Sequence, residues 1–102
     1  MLDRLTHSDF EPLCGATFGA DLRAAPGVGL DLIEVRILRA PPQRPGRPPA
    51  RHPFALTFRA RTPAYVPQAI YPISHDRLGR LDIFLVPVGR DDDGLLLEAV
   101  FS

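Results

Sequence analysis

Alternation with a period of two is the feature of this sequence that leaves the fewest folds open. In "FALTFRA", residues 54–60, Phe54, Leu56 and Phe58 alternate with Ala55, Thr57 and Arg59. Successive side chains of an extended strand point to opposite faces, so the pattern predicts a strand with one buried face. "ATFGADLR" repeats it with Phe18, Ala20 and Leu22 inward, and "LLLEAVF" with Leu95, Leu97, Ala99 and Phe101 inward. "LDLIEVRILR" changes parity midway: Leu30 and Leu32 are inward, then Val35 and Ile37. One extra residue near Ile33 restores the register, which is what a β-bulge does.

Two further strands complete the set. "AIYPISH" is short, and its Pro72 belongs at an edge or in a distorted ladder because proline has no N–H to donate. "RLDIFLVPV" carries Leu81, Ile83 and Leu85 on one side and Phe84, Val86 and Val88 on the other. Apolar on both faces, it reads as a central strand covered from both sides. Ahead of all six, "LTHSDFEPLCG" reads as one short helix with Phe10, Leu13 and Leu5 toward the core. Thr6 or Ser8 can cap it, and Pro12 is tolerated only in a first turn, which puts the start at Ser8 or later. Short turns join most of these segments, as antiparallel neighbours require. The expected fold is mainly β: a small antiparallel β-barrel or rolled sheet of about six strands, with one short N-terminal helix plugging an end.

A chain of 102 residues with 45% hydrophobic and 24% charged residues suits one globular domain, residues 1–102. Cys14 is the sole cysteine, which excludes an internal disulfide framework. The opening "MLDRLTHSDF" has no signal-like apolar segment, and no run approaches the ~20 apolar residues that cross a bilayer. A soluble, cytoplasmic protein without membrane association is expected.

The segment "APPQRPGRPPARHP", residues 40–53, breaks the pattern. It holds six of the twelve prolines, together with Arg44, Arg47 and Arg51, and Arg39 directly precedes it. With little apolar surface to offset the entropy of ordering, it is expected to be an extended, mobile, polyproline-like loop. Seven arginines and no acid lie between Arg36 and Arg61, although the whole chain has a net charge of zero. "RAPPQRP" and "PQRPGR" match proline-arginine patterns that aromatic grooves read, which makes Arg39, Arg44, Arg47 and Arg51 candidate partner contacts. The same arginines could meet phosphates. Residues 40–52 contain no aromatic platform for stacking bases, so nucleic acid is the less favoured partner.

Signs of catalysis are weak. "GRDDDG", residues 89–94, has consecutive aspartates instead of alternating calcium ligands, and the twelfth position counted from Asp91 is Ser102. Asp93-Gly94 between alternating runs reads instead as a hairpin turn, with glycine accepting positive φ. His7, His52 and His75 sit at no metal spacing, and His75-Asp76 is simpler as turn chemistry. Cys14 is expected to be buried and inert, and a Cys14–His75 nucleophilic pair is a remote alternative. No phosphate-binding glycine loop is present. No cofactor, metal site or catalytic residue is assigned, and the chain is read as no enzyme.

The opening "MLDRLTHSDFEPLCGATF" and the closing "PQAIYPISHDRLGRLDIFLVPVGRDDDGLLLEAVFS" resemble an uncharacterised family of short bacterial proteins. There a Pro-Gln…Tyr stretch, a Leu-Gly turn, "FLVPVGRD", a glycine and "EAVF" recur in this order. Members often lie beside genes for phage-tail-collar-like proteins, so the resemblance implies an accessory or assembly role and a protein partner. It supplies no catalytic residue. In "PVGRD", Pro87 is expected to end ladder pairing, Gly89 to allow a bulge, and Arg90 to pair with Asp91 or Glu98. The function expected is thus that of a non-catalytic structural or assembly accessory, with a nucleic-acid or anion-binding module as the alternative.

Overall fold

A computed structural model describes residues 4–39, 46 and 52–102. The six expected strands form: β1 (Thr17–Ala20), β2 (Leu30–Ile37), β3 (Phe54–Ala60), β4 (Ala69–His75), β5 (Gly79–Asp91) and β6 (Gly94–Phe101). All pairings are antiparallel, and the order β1-β2-β3-β6-β5-β4 closes on itself as a barrel. Closure leaves no strand with an unpaired edge along its whole length, which removes the template for aggregation that an open sheet offers.

The inward residues of each strand fill the barrel. Phe18, Leu32, Leu56, Phe58, Leu85 and Leu97 are fully buried. Each such side chain contributes about 1.5–3 kcal/mol by leaving water. The register of β2 slips between Leu32 and Glu34, so the bulge falls at Ile33, where the change of parity placed it. A second slip between Pro87 and Gly89 makes Val88 the extra residue of β5. Pro87 itself stays in the ladder, opposite Leu97, and does not end it. Pro72 lies where β1 runs out. Its carbonyl accepts the Asp21 N–H at 3.1 Å, and its missing N–H would have pointed to that same side.

The helix plugs one end. Helix α1 (His7–Phe10) begins after Thr6, whose N–H donates to Asp9 Oδ2 at 2.8 Å, and so starts earlier than Pro12 suggested. Proline is accommodated by a change of helix type: residues Glu11–Leu13 form a 3₁₀ turn with Pro12 in its first positions, where an N–H is not needed. Phe10 then packs at 5.8 Å from Phe54 and 5.7 Å from Phe101, which stack on each other at 4.6 Å. That aromatic trio closes the end of the barrel at which the chain leaves β2 and re-enters β3. Leu38 N–H donates to Pro53 O at 2.8 Å, so the proline-arginine segment is tied at its base. Pro53 is buried and belongs to the barrel, not to the loop as the sequence suggested. Residues 40–45 and 47–51, including Arg44, Arg47 and Arg51, lie outside the described residues.

Two placements differ from the alternation. Ile37 follows the inward parity but is half-exposed, at the last rung of its ladder, opposite Phe54. The second apolar face of β5 is exposed at Phe84 and Val88: the sheet is a single closed layer, and among the described residues its outer side meets no second layer.

The β5–β6 hairpin turns through Asp92 and Asp93, with Asp91 paired to Gly94. The central residues Asp92 and Asp93 keep negative φ, and Gly94 directly after them takes the positive φ expected of it, +156°. Gly94 is required by packing. A Cβ there would lie 2.3 Å from the Ala60 carbonyl oxygen and 3.1 Å from Arg61 Cα. Overpacking against backbone costs about 1–3 kcal/mol, so Gly94→Ala is expected to lower the melting temperature by roughly 5–20 °C. An unchanged thermal transition, followed by circular dichroism, would refute this close approach.

Candidate functional site

The outer surface of the barrel carries two kinds of feature, an ion-pair framework and an apolar pair. The framework begins with strand alternation, which sends Asp31, Arg59 and Arg61 outward on β2 and β3 and their continuation. Asp31 sits opposite Arg59 in the ladder, accepts the Thr17 hydroxyl at 2.7 Å and accepts Arg61 Nε at 2.9 Å. Arg59 grips Asp91 with two nitrogens, Nη2 at 2.6 Å and Nε at 3.2 Å. Asp91 Oδ1 also accepts the N–H groups of Asp93 and Gly94, at 2.9 and 3.0 Å, and so forms the hairpin turn. Arg90 pairs with neither Asp91 nor Glu98. Its guanidinium instead holds the carbonyl oxygens of Thr62, Pro63 and Ala64 at 2.7–3.3 Å. Glu98 accepts Arg36, at 3.1 Å. The "GRD" of the closing signature thus locks the hairpin to β3 and to the chain that follows it.

These contacts set the acidity of the two aspartates. The Arg59 hydrogen bonds, ahead of those from the turn N–H groups, hold the Asp91 carboxyl below its ordinary value of 3.8. The Thr17 hydroxyl, followed by Arg61, does the same for Asp31. Among the described residues no group of three potential ligands is placed to hold a metal ion. Asp91 is committed to Arg59 and the turn.

The remaining candidates are dispersed. Arg39 is exposed just beyond β2, and it is the one of the four proposed contact arginines that falls within the described residues. His7 contacts Glu11 at 2.6 Å, and His52 is exposed. His75 serves the β4–β5 turn: its Nδ1 accepts the Arg77 N–H at 3.1 Å, and its ring packs 4.9 Å from Phe18. Cys14 is exposed, not buried. Leu13 takes the inward place after the 3₁₀ turn, and the Gly15 N–H is drawn to Leu32 O at 2.7 Å, which leaves the intervening thiol outside. Cys14 lines a shallow depression with Arg59 and Arg61, whereas His75 lines another with Ser74 and Arg80. The fold does not assemble the two into one site.

The apolar pair escaped the sequence reading. Ile70 of β4 stands opposite Phe84 of β5, both outward, at 61% and 51% exposure. The β5–β6 pairing ends at Val86 and Glu98; two residues further along β6, Val100 is also outward, at 59% exposure. Ala55 of β3, opposite Val100, is buried, so the exposed apolar surface does not continue onto β3. At the other end, Arg23 donates to Ile70 O at 3.0 Å and lies 4.7 Å over the Tyr71 ring. Arg23 adopts φ +58°, a conformation that non-glycine residues rarely hold. The available signal was the apolar second face of β5, which was read as buried.

The model of a family described as a domain of unknown function, DUF6916, matches residues 5–101, so the chain belongs to that family. The comparisons with curated proteins and with solved structures gave no match. No described helix is long and apolar enough to cross a membrane.

The framework makes a signed prediction about pH. A carboxyl held below its unfolded pKa stabilises the fold above that pKa, and the contribution is lost as pH falls through the folded value. Asp91→Asn should therefore melt below the parent chain at pH 7, and the gap should close as the pH drops below about 4. A gap that stays constant from neutral to strongly acid pH would show that the Arg59–Asp91 pair does not carry the effect.

Proposed function

We propose that this protein is a non-catalytic structural or assembly accessory that works through protein–protein contacts. The observation that carries this reading is the Ile70–Phe84 pair, two large apolar side chains adjacent on the outside of a barrel whose core is already filled. Scattered apolar residues on a surface need no explanation, but two large ones side by side with an arginine at their rim have the composition of a contact site. The resemblance of both chain ends to proteins encoded beside phage-tail-collar-like genes supplies the setting, a phage-tail-like assembly. The dispersal of His75, Cys14 and the aspartates favours contact over catalysis. The alternative, binding of nucleic acid or another anion through the proline-arginine segment, draws on Arg39, exposed at the root of that segment.

Affinity purification of the tagged chain from its native host separates these readings. Ile70→Ser/Phe84→Ser is expected to keep the thermal transition and lose a co-eluting protein that resists high salt. Deletion of residues 40–51 should leave that protein bound. Capture that depends on the deleted segment, is salt-sensitive and consists of nucleic acid would replace the proposal with its alternative.

A further inference from the structure

We infer that Arg23 guards the unpaired half of the β4 edge and keeps the sheet from gaining another strand there. β1 is too short to cover its neighbour. Its rungs reach Ser74 and Ile73, and one further bond, from the Asp21 N–H to Pro72 O at 3.1 Å, ends the seam. β4 continues to Ala69, paired with β5 on its other side along its whole length. Successive residues of an antiparallel strand turn their N–H and C=O groups to opposite sides. Pro72 turns toward β1, so Ile70 does too, whereas Ala69 and Tyr71 turn toward β5. The edge beyond β1 therefore consists of the backbone groups of Ile70 and Pro72. Pro72 has no N–H, its oxygen is taken by Asp21, and the Ile70 oxygen accepts Arg23 Nη2 at 3.0 Å. Only the Ile70 N–H is left.

Arg23 reaches that position from a strained backbone. Its φ is +58°, and the Ala24 N–H donates to Leu22 O across it, which makes a three-residue γ-turn. Such a conformation persists only where its surroundings enforce it. Here Leu22 is fully buried, and Asp21 Oδ1 accepts the Arg23 N–H at 3.1 Å. The guanidinium then lies 4.7 Å over the Tyr71 ring while it holds Ile70 O. Glycine would take this backbone without strain, and an apolar side chain would cover Tyr71. Arginine also caps the carbonyl oxygen and sets a charge on the edge. Charge and proline are two of the devices that keep exposed edges from pairing with another chain, and both stand on this stretch. An added strand bonds to the N–H and C=O of the same residue. With the Ile70 oxygen occupied and Pro72 lacking a donor, it would gain one bond and have to desolvate a guanidinium. The guard acts on backbone groups, so it is independent of what meets the Ile70 side chain.

Arg23→Gly removes the guard without adding strain, because glycine takes positive φ freely. Arg23→Met keeps the stem over Tyr71 and loses only the donor and the charge. In sedimentation equilibrium from micromolar to millimolar concentration, both variants should self-associate at least about ten-fold more tightly than the parent chain. Arg23→Lys, which keeps a charge and a donor, should follow the parent. Strand addition also has a local signature in amide hydrogen exchange. In Arg23→Met the Ile70 N–H should become protected as concentration rises, while the Tyr71 N–H, turned toward β5, should not change. Variants no more associated than the parent would overturn the inference. So would tighter association that leaves Ile70 exchange independent of concentration, or equally tight association in Arg23→Lys.

Discussion

Everything else in this fold depends on closing the ring at its shortest strand. β1 has four residues; Thr17 and Phe18 pair with β2, and Gly19 and Ala20 pair with β4. Without those rungs β2 and β4 would be open edges and the inward phenylalanines would face water. The seam is made tight by small residues. A Cβ on Gly19 would lie 2.9 Å from Ser74 Oγ, and one on Gly29 would lie 3.0 Å from Phe18 O. Phe18 fills the interior behind the seam and packs edge-on to Phe58 at 5.5 Å. The Thr17–Asp31–Arg61 chain of hydrogen bonds ties β1 outward to the following strands.

Closure also accounts for the outer surface. A closed single layer has one inside and no covering layer, so each apolar residue of outward parity must stay in solvent or find a partner. The same geometry separates structural charge from surface left for contact. Arg59, Asp91 and Arg90 are spent on joining the hairpin to β3 and the chain after it, and Asp31 on joining β2 to Thr17 and Arg61. The outward Ile70–Phe84 pair is left exposed, with no second layer among the described residues. Arg23, at φ +58°, sets its guanidinium on the Ile70 carbonyl oxygen of β4, beside the apolar pair.

What the sequence made legible follows from which forces are local. The strand of Phe54, Leu56 and Phe58 and that of Leu95, Leu97 and Phe101 declare themselves by alternation, and the change of parity at Ile33 announces a bulge before any partner strand is known. The Asp92-Asp93 turn was legible as a turn. The packing need for Gly94 was not, since it arises from the carbonyl of Ala60, 34 residues earlier. Arg90 looked like half of an ion pair because sequence shows nearby carboxylates but not carbonyl groups brought close by the fold. Cys14 and Phe84 were misplaced because residue type suggests burial, while the path after the 3₁₀ turn decides it for Cys14 and the side of the strand that has an inside decides it for Phe84.

Native-state amide hydrogen exchange at the seam is the most direct test of ring closure. The Asp21 N–H, bonded to Pro72 O, and the Leu32 N–H, bonded to Ala16 O, bracket β1 on its two sides. If the ring is closed, both should exchange only through global unfolding, with the same opening free energy as amides of the central β3–β6 ladder. Rapid exchange of Asp21 beside a protected β3–β6 ladder would mean an open sheet with β4 at its edge, and would contradict this account.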